Sequence, residues 1–375
     1  MRIWDAVIVG AGIIGLSLAI ELRKTGVSVL IVEKGEPGRE ASWAAGGMLA
    51  DFGLEIPSSL QALATASARL YPEFVHELED ESGLKIDLRP EGTLLILNED
   101  PDHGLQESHP LPTSLETLEP ALQTPAHPAL FLNEQSVDPR HLTAAAIAAA
   151  RHRGADFSSG DPVLAIEIID GKAAGVRTNR TRFASAVVVN CAGAWAGQIG
   201  YDARVGTDAS PVQAEHTSAA FFAVPTRPVK GQMLCVAMPE KNLVRHVVRT
   251  PNVYLIPRSD GRLLIGATQE EAGFDKQTVP QTLQKLRQAA LDLVPKLADA
   301  RILEAWAGLR PGTPDKLPIL GATPTPGYYA ATGHFRDGIL LAPITAKSMA
   351  SLISGGECLH DLSAFTAARF HLLAG

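Results

Sequence analysis

Residues 4–33 read WDAVIVGAGIIGLSLAIELRKTGVSVLIVE. An apolar stretch runs into Gly10, Gly12 and Gly15, a segment of helical length and pattern follows, and a second apolar stretch ends on Glu33. The spacing predicts strand, helix and strand, with the helix over 13 to about 25. Each glycine answers a separate steric demand: Gly10 a tight turn, Gly12 the approach of the backbone to a pyrophosphate, Gly15 close packing of helix on strand. The pyrophosphate would face the helix N-terminus, whose N–H groups lack intrahelical partners and whose dipole favours an anion. Glu33, 18 positions after Gly15, would accept hydrogen bonds from both ribose hydroxyls. An acid there repels a 2′-phosphate and argues against NADP. Residues 4–33 therefore predict a dinucleotide-binding unit.

The chain has 375 residues, 46% of them hydrophobic, enough for two domain-sized cores. Its 33 glycines and 26 prolines are spread along it and punctuate turns. A formal net charge of −8 without a long run of Lys or Arg excludes nucleic acid as a partner. Cys191, Cys235 and Cys358 lack C-x-x-C spacing, which fits a reducing compartment and no metal site. The chain opens directly on a strand pattern, and no run approaches ~18 apolar residues, so no membrane span and a cytoplasmic location are expected.

Residues 34–53, KGEPGREASWAAGGMLADFG, are small and glycine-rich and read as a ligand-facing loop without regular structure. A long amphipathic helix is expected over 58–78 and a strand pair over 84–97 around Pro90 and Gly92. Asp138 and Pro139 mark the start of a second helix and Gly154 its end. The run VVVN into Cys191 resembles a central parallel strand that ends at a ligand. Residues 202–220 read as a mobile insertion. Alternating strands at 228–236, 253–258, 262–268 and 301–310, with a helix over 281–293, indicate an antiparallel sheet. A helix over 339–353 follows a glycine turn, and its N–H groups would stabilise negative charge on a reduced cofactor ring. The fold class expected is α/β: a discontinuous, doubly wound Rossmann-like domain (1–82, 138–200 and 306–375) plus an α+β substrate domain (83–137 and 201–305) with a mainly antiparallel sheet.

Six stretches, VIVGAGIIG, ASWAAGGML, PVKGQ, YLIPRSDGRLLIGAT, WAGLRPGTPDKLPILG and ATGHFRDGILLAP, together resemble the D-amino-acid oxidase-like flavoproteins. Within these the chain is most similar to the glycine oxidases of thiamine-thiazole biosynthesis. The last two blocks are far more specific than the N-terminal glycines and place FAD ahead of NAD. The resemblance implies oxidation of an amine that bears a carboxylate, by hydride transfer to flavin N5, with hydrolysis of the imine and O2 as acceptor. No side-chain acid or base is implied, because the cofactor supplies the hard step.

A carboxylate substrate calls for a cation, and a guanidinium grips it bidentately while staying charged. The resemblance assigns this to Arg310, with Tyr254 as a second carboxylate contact and Arg336 near the entrance. Met48, Gln269 and Asn252 complete the expected substrate contacts. The flavin contacts it implies are Gly10, Gly12, Ile14, Gly15, Glu33 and Lys34; Ser42, Ala45, Gly46, Gly47 and Met48; Val163 beside the adenine; Cys191, Ala192 and Gly193; and Gly333, His334, Arg336, Asp337, Gly338, Ile339 and Leu340. Covalent members attach FAD through a cysteine in the block matching WAGLRPGTPD; Gly308 lies there, so FAD is expected to be non-covalent. The chain departs from the glycine oxidase pattern at Gln269, where a methionine follows GAT, and at Asn252, where a histidine precedes the tyrosine by two. Both departures point to a specificity shifted from glycine alone towards N-substituted or polar small D-amino acids. Sarcosine oxidation, a dehydrogenase using another acceptor, a tRNA-modification module and a non-catalytic flavin scaffold are the competing readings, and a homo-oligomer stays open.

Overall fold

The computed structural model describes residues 2–52, 56–98, 108–123, 128–204 and 222–373. Ala6–Val9 is buried at every position and lies inside a six-stranded sheet. The order is Ile319–Ala322, Tyr328–Thr332, Val188–Asn190, Ala6–Val9, Val29–Glu33 and Asp156–Ser159. All neighbours are parallel except the first pair. Ala6, Ile8 and Ile31 point into a core built with the helices Ile13–Lys24, Ser58–Ser82, Pro139–His152 and Ala342–Ile353. Val7, Val9, Leu30 and Val32 point the other way, onto a four-stranded sheet carrying Ile166, Ile168 and Val176. Burial on both faces explains why these strands read as unbroken apolar runs.

A seven-stranded sheet forms the second body, in the order Arg301–Gly312, Arg227–Ala237, Arg262–Gly266, Tyr254–Pro257, Val247–Arg249, Thr93–Ile96 and Ala129–Leu132. It is antiparallel except between Val247–Arg249 and Thr93–Ile96. Along Arg227–Ala237, Leu234 and Val236 pack under the helix Pro280–Leu293, while Met233 and Cys235 join Tyr254, Ile256 and Trp306 on the opposite face. The two-residue period of a strand separates a covered face from one that lines the functional cavity.

Four expectations need correction or completion. The strands in 84–97 do not pair with each other: Leu88–Arg89 joins Gln135–Val137, whereas Thr93–Ile96 enters the seven-stranded sheet. Pro90 and Gly92, the latter at φ +92°, turn the chain from one sheet to the other. The loop 34–53 contains a short helix, Ala41–Ala44, and a short strand, Met48–Leu49. The C-terminal helix begins at Ala342 rather than 339. Pro343 has no N–H to close a helical turn on the Ile339 carbonyl, and the Tyr71 hydroxyl donates to that carbonyl instead, with Ser67 Oγ donating to Leu340 O at 2.6 Å. Of the segment 202–220, residues 202–204 end the strand Gly200–Arg204; the remainder lies outside the described residues. Among the described residues no helix is long and apolar enough to cross a membrane.

Candidate active site

A cavity of about 620 Å³ takes its walls from both bodies, from Gly10, Gly12 and Glu33 at one end to Tyr254 and Arg310 at the other. At the first end Gly10 sits at φ +107°, and a Cβ there would lie 2.6 Å from the Cys191 carbonyl oxygen. A Cβ on Gly15 would lie 2.1 Å from Gly10 O, so Gly15 serves packing and does not reach the cavity wall. Ser42 Oγ accepts from the Ile13 N–H at 2.9 Å and so holds the glycine-rich loop to the helix N-terminus. Glu33 is 7% exposed, and its two carboxylate oxygens accept from Ala11 N at 2.8 Å and Gly35 N at 3.0 Å. Each oxygen keeps a lone pair for a ribose hydroxyl. Lys34 Nζ stands 3.7 Å from the centre of the Trp195 ring and 2.6 Å from Glu40 Oε1, and all three residues line the cavity. A glycine cradle, a helix N-terminus and an acid at the end of the second strand fit a dinucleotide with free ribose hydroxyls.

At the second end Arg310 projects from Arg301–Gly312, and its Nη1 donates to Thr268 O at 2.9 Å and to Lys230 O at 3.4 Å. Carbonyls hold one nitrogen of the fork, and the guanidinium also hydrogen-bonds the Tyr254 hydroxyl, so that the two side chains offer a carboxylate one joint donor set. The guanidinium rests against Gly231 on the neighbouring strand: a Cβ there would sit 2.4 Å from Nη1. Thr268 is in turn fixed by its hydroxyl, which accepts from Gln232 N at 2.9 Å and donates to Glu270, and Glu270 also accepts from Gln232 Nε2 at 2.8 Å. Tyr254 lies across the cavity wall with its hydroxyl 3.9 Å from Met233 Sδ. Burial pushes this hydroxyl above its ordinary titration range, opposed by the charges of Arg310 and Arg336; it stays protonated and donates. His334 is 3% exposed, with Nε2 3.1 Å from Thr345 Oγ1, and burial lowers its pKa to about 3. It is therefore a neutral ring, not a cation. A Cβ on Gly308 would come within 2.4 Å of Ala44 Cβ, which leaves no room there for a cysteine.

Most of the residues singled out from the sequence meet on this one wall. Gln269 lines it at an exposed rim position. Asn252 does not: it is exposed, its backbone N–H donates to Thr250 Oγ1 at 3.2 Å, and the neighbouring Pro251 lines the cavity instead. Gly15, Gly333, Asp337 and Leu340 also stand off the wall. Sequence reasoning missed Trp195, Met233, Thr268 and the seat that Gly231 makes for Arg310; PVKGQ and GAT were the available signals, and neither states a chemical reason by itself.

The fold and cavity define a flavin-dependent amine oxidoreductase, and the chain belongs to the family described as FAD dependent oxidoreductase (DAO), which it matches over residues 5–352. Its cofactor is FAD. Among its relatives, the glycine oxidase of Pseudomonas aeruginosa is 34% identical over 369 residues, spanning 95% of this chain and 96% of that one. The bifunctional protein ThiO/ThiG of Trichormus variabilis is 34% identical over 382 residues, and the chain spans 55% of its length. The crystal structure of glycine oxidase from Geobacillus kaustophilus superimposes with a TM-score of 0.86 at 30% identity, covering 98% of this chain and 99% of that one.

Proposed function

We propose that the chain oxidises glycine or another small amino acid, including D-amino acids and sarcosine, to the 2-oxo acid and ammonia or amine, with O2 reduced to H2O2. The carrying observation is that the Arg310 fork and the Tyr254 hydroxyl share one cavity with the dinucleotide cradle. Bound FAD supplies the acceptor for the hydride from the carbon that bears the amine. Arg310 grips the substrate carboxylate, Tyr254 adds a neutral donor, and Met233 and Trp306 form part of the apolar packing beside them. Orientation of this kind brings the reacting carbon to the cofactor without a protein acid or base. Each turnover consumes one water and one O2: two electrons pass from the C–H and amine to O2, and water replaces nitrogen on the carbon.

The same reading assigns 1–82, 138–200 and 306–375 to FAD binding and 83–137 and 201–305 to the substrate, and places the protein in the cytoplasm, where the unpaired Cys191 and Cys235 stay reduced. The test is anaerobic mixing of the holoenzyme with glycine, sarcosine, D-alanine and D-serine while the flavin absorbance is followed, then admission of air. Bleaching by one of these and recovery in air are expected. Bleaching without recovery moves the assignment to a dehydrogenase. No bleaching by any of them, with Arg310→Ala indistinguishable from the parent, refutes it.

A further inference from the structure

Arg258 is the largest fully buried side chain among the described residues, at 1% exposure. Its Nη2 donates to the Gly46 carbonyl at 2.5 Å, its Nε is 3.9 Å from Asp138 Oδ2, and Nε and Nη1 have no hydrogen-bond partner among the described residues. Asp138 is engaged elsewhere, with Arg262 at 2.8 Å and with the helix N-terminus at Arg140 N. A desolvated cation so sparsely paired is a poor device for stability. What it does hold is one peptide of the glycine-rich loop.

That peptide is placed to act on the cofactor. Gly46 and Gly47 line the cavity, whereas Arg258 lies behind them. The Gly46–Gly47 bond is trans, so its C=O and N–H point in opposite directions. With the carbonyl turned to Arg258, the Gly47 N–H is turned to the cavity, and it has no acceptor among the described residues. The loop here is at the substrate end, since a Cβ on Gly46 would lie 3.6 Å from Tyr254 Cε2 and Trp306 Nε1 donates to Ala44 O at 3.0 Å. The flavin ring must occupy that end to meet the substrate, because Glu33 and the Gly10 turn define the ribose and pyrophosphate end.

We propose that Arg258 is a positioning residue: by fixing the Gly46 carbonyl it presents the Gly47 N–H to the isoalloxazine of FAD as a hydrogen-bond donor and so sets the ring's reduction equilibrium. Arg258→Met removes the donor and the charge at similar length; Arg258→Lys keeps a cationic donor. Anaerobic titration of each holoenzyme should show the Met variant shifted at least tenfold in its reduction equilibrium, about 30 mV for two electrons, and the Lys variant within threefold of the parent. A Met variant within threefold of the parent overturns the proposal. Hydrogen exchange in the parent protein labelled with 15N-glycine gives a second arm independent of the variants' folding. Reconstitution of the apoprotein with FAD should slow the Gly47 amide at least tenfold more than that of Gly46; equal slowing of the two overturns the proposal.

Discussion

Replacing Gly231 with alanine adds one methyl group on the cavity wall against the Arg310 guanidinium, and its consequence falls on the carboxylate clamp. The new Cβ would lie 2.4 Å from Arg310 Nη1, 2.5 Å from Nη2 and 2.6 Å from Cζ, where ordinary contact begins at 3.4 Å. The deficit at Nη1 is 3.4 − 2.4 = 1.0 Å. The strands Arg227–Ala237 and Arg301–Gly312 are locked in a long antiparallel register, so the side chain moves and the sheet does not. A guanidinium displaced by about 1 Å gives up its 2.9 Å bond to Thr268 O and its alignment with the substrate. Losing hydrogen bonds to a charged group costs roughly 1.5–3 kcal/mol, about 10- to 150-fold in KM. A misplacement of about 1 Å in the bound substrate can take a further ~10²-fold from kcat. Gly231→Ala should therefore lower kcat/KM by roughly 10³ to 10⁴, with FAD content and melting temperature close to those of the parent. Steady-state peroxide release on glycine and D-alanine, alongside flavin absorbance per protein, measures both. A kcat/KM within threefold of the parent, with full FAD, would refute the seating of Arg310 on Gly231.

Arg310→Lys should keep FAD and lose activity almost as fully as Arg310→Ala, because an ammonium cannot reproduce the fork; KM and kcat near parental values would remove Arg310 from the clamp. His334, held neutral with a pKa of about 3, refuses a proton that the unfolded chain accepts below about pH 6.5. Its contribution to stability is complete above that pH and declines by about 1.4 kcal/mol per unit between 6.5 and 3. Urea midpoints at pH 7.5, 6 and 5 should fall more steeply for the parent than for His334→Gln, and parallel curves would contradict a buried neutral imidazole. Gln269→Met should change the ranking of kcat/KM among glycine, sarcosine, D-alanine and D-serine; a ranking unchanged within about twofold, far below the tenfold of ~1.4 kcal/mol, rejects a role in specificity. Acid precipitation should release all the flavin to the supernatant, since the space at Gly308 leaves no room for a linking side chain, and colour left in the pellet would show a covalent link elsewhere.

Gly10, Gly12, Gly15 and Glu33 declared the nucleotide unit because every feature of it is written in adjacent residues: apolar period, missing side chains, terminal acid. Asp138 before Pro139 announced a helix for the same reason, and the Asp138 carboxylate does cap it, accepting from Arg140 N at 2.9 Å. Arg310 and Tyr254 were singled out through the specific blocks that carry them, and both line the cavity. Other features had no local signature. Whether Leu88–Arg89 and Thr93–Ile96 share a sheet depends on partners at Gln135–Val137 and Val247–Arg249, and the hydroxyl that donates to the Ile339 carbonyl ahead of Pro343 comes from Tyr71, distant in sequence. Asn252 and Pro251 are neighbours in the chain, and only the course of the turn decides which lines the cavity. Gly231 under Arg310 and Arg258 behind Gly46 are contacts between residues 79 and 212 positions apart in sequence. Short-range propensity and periodicity set the elements, whereas distances between side chains of different elements follow from sheet register and close packing, which exist only once the chain has folded.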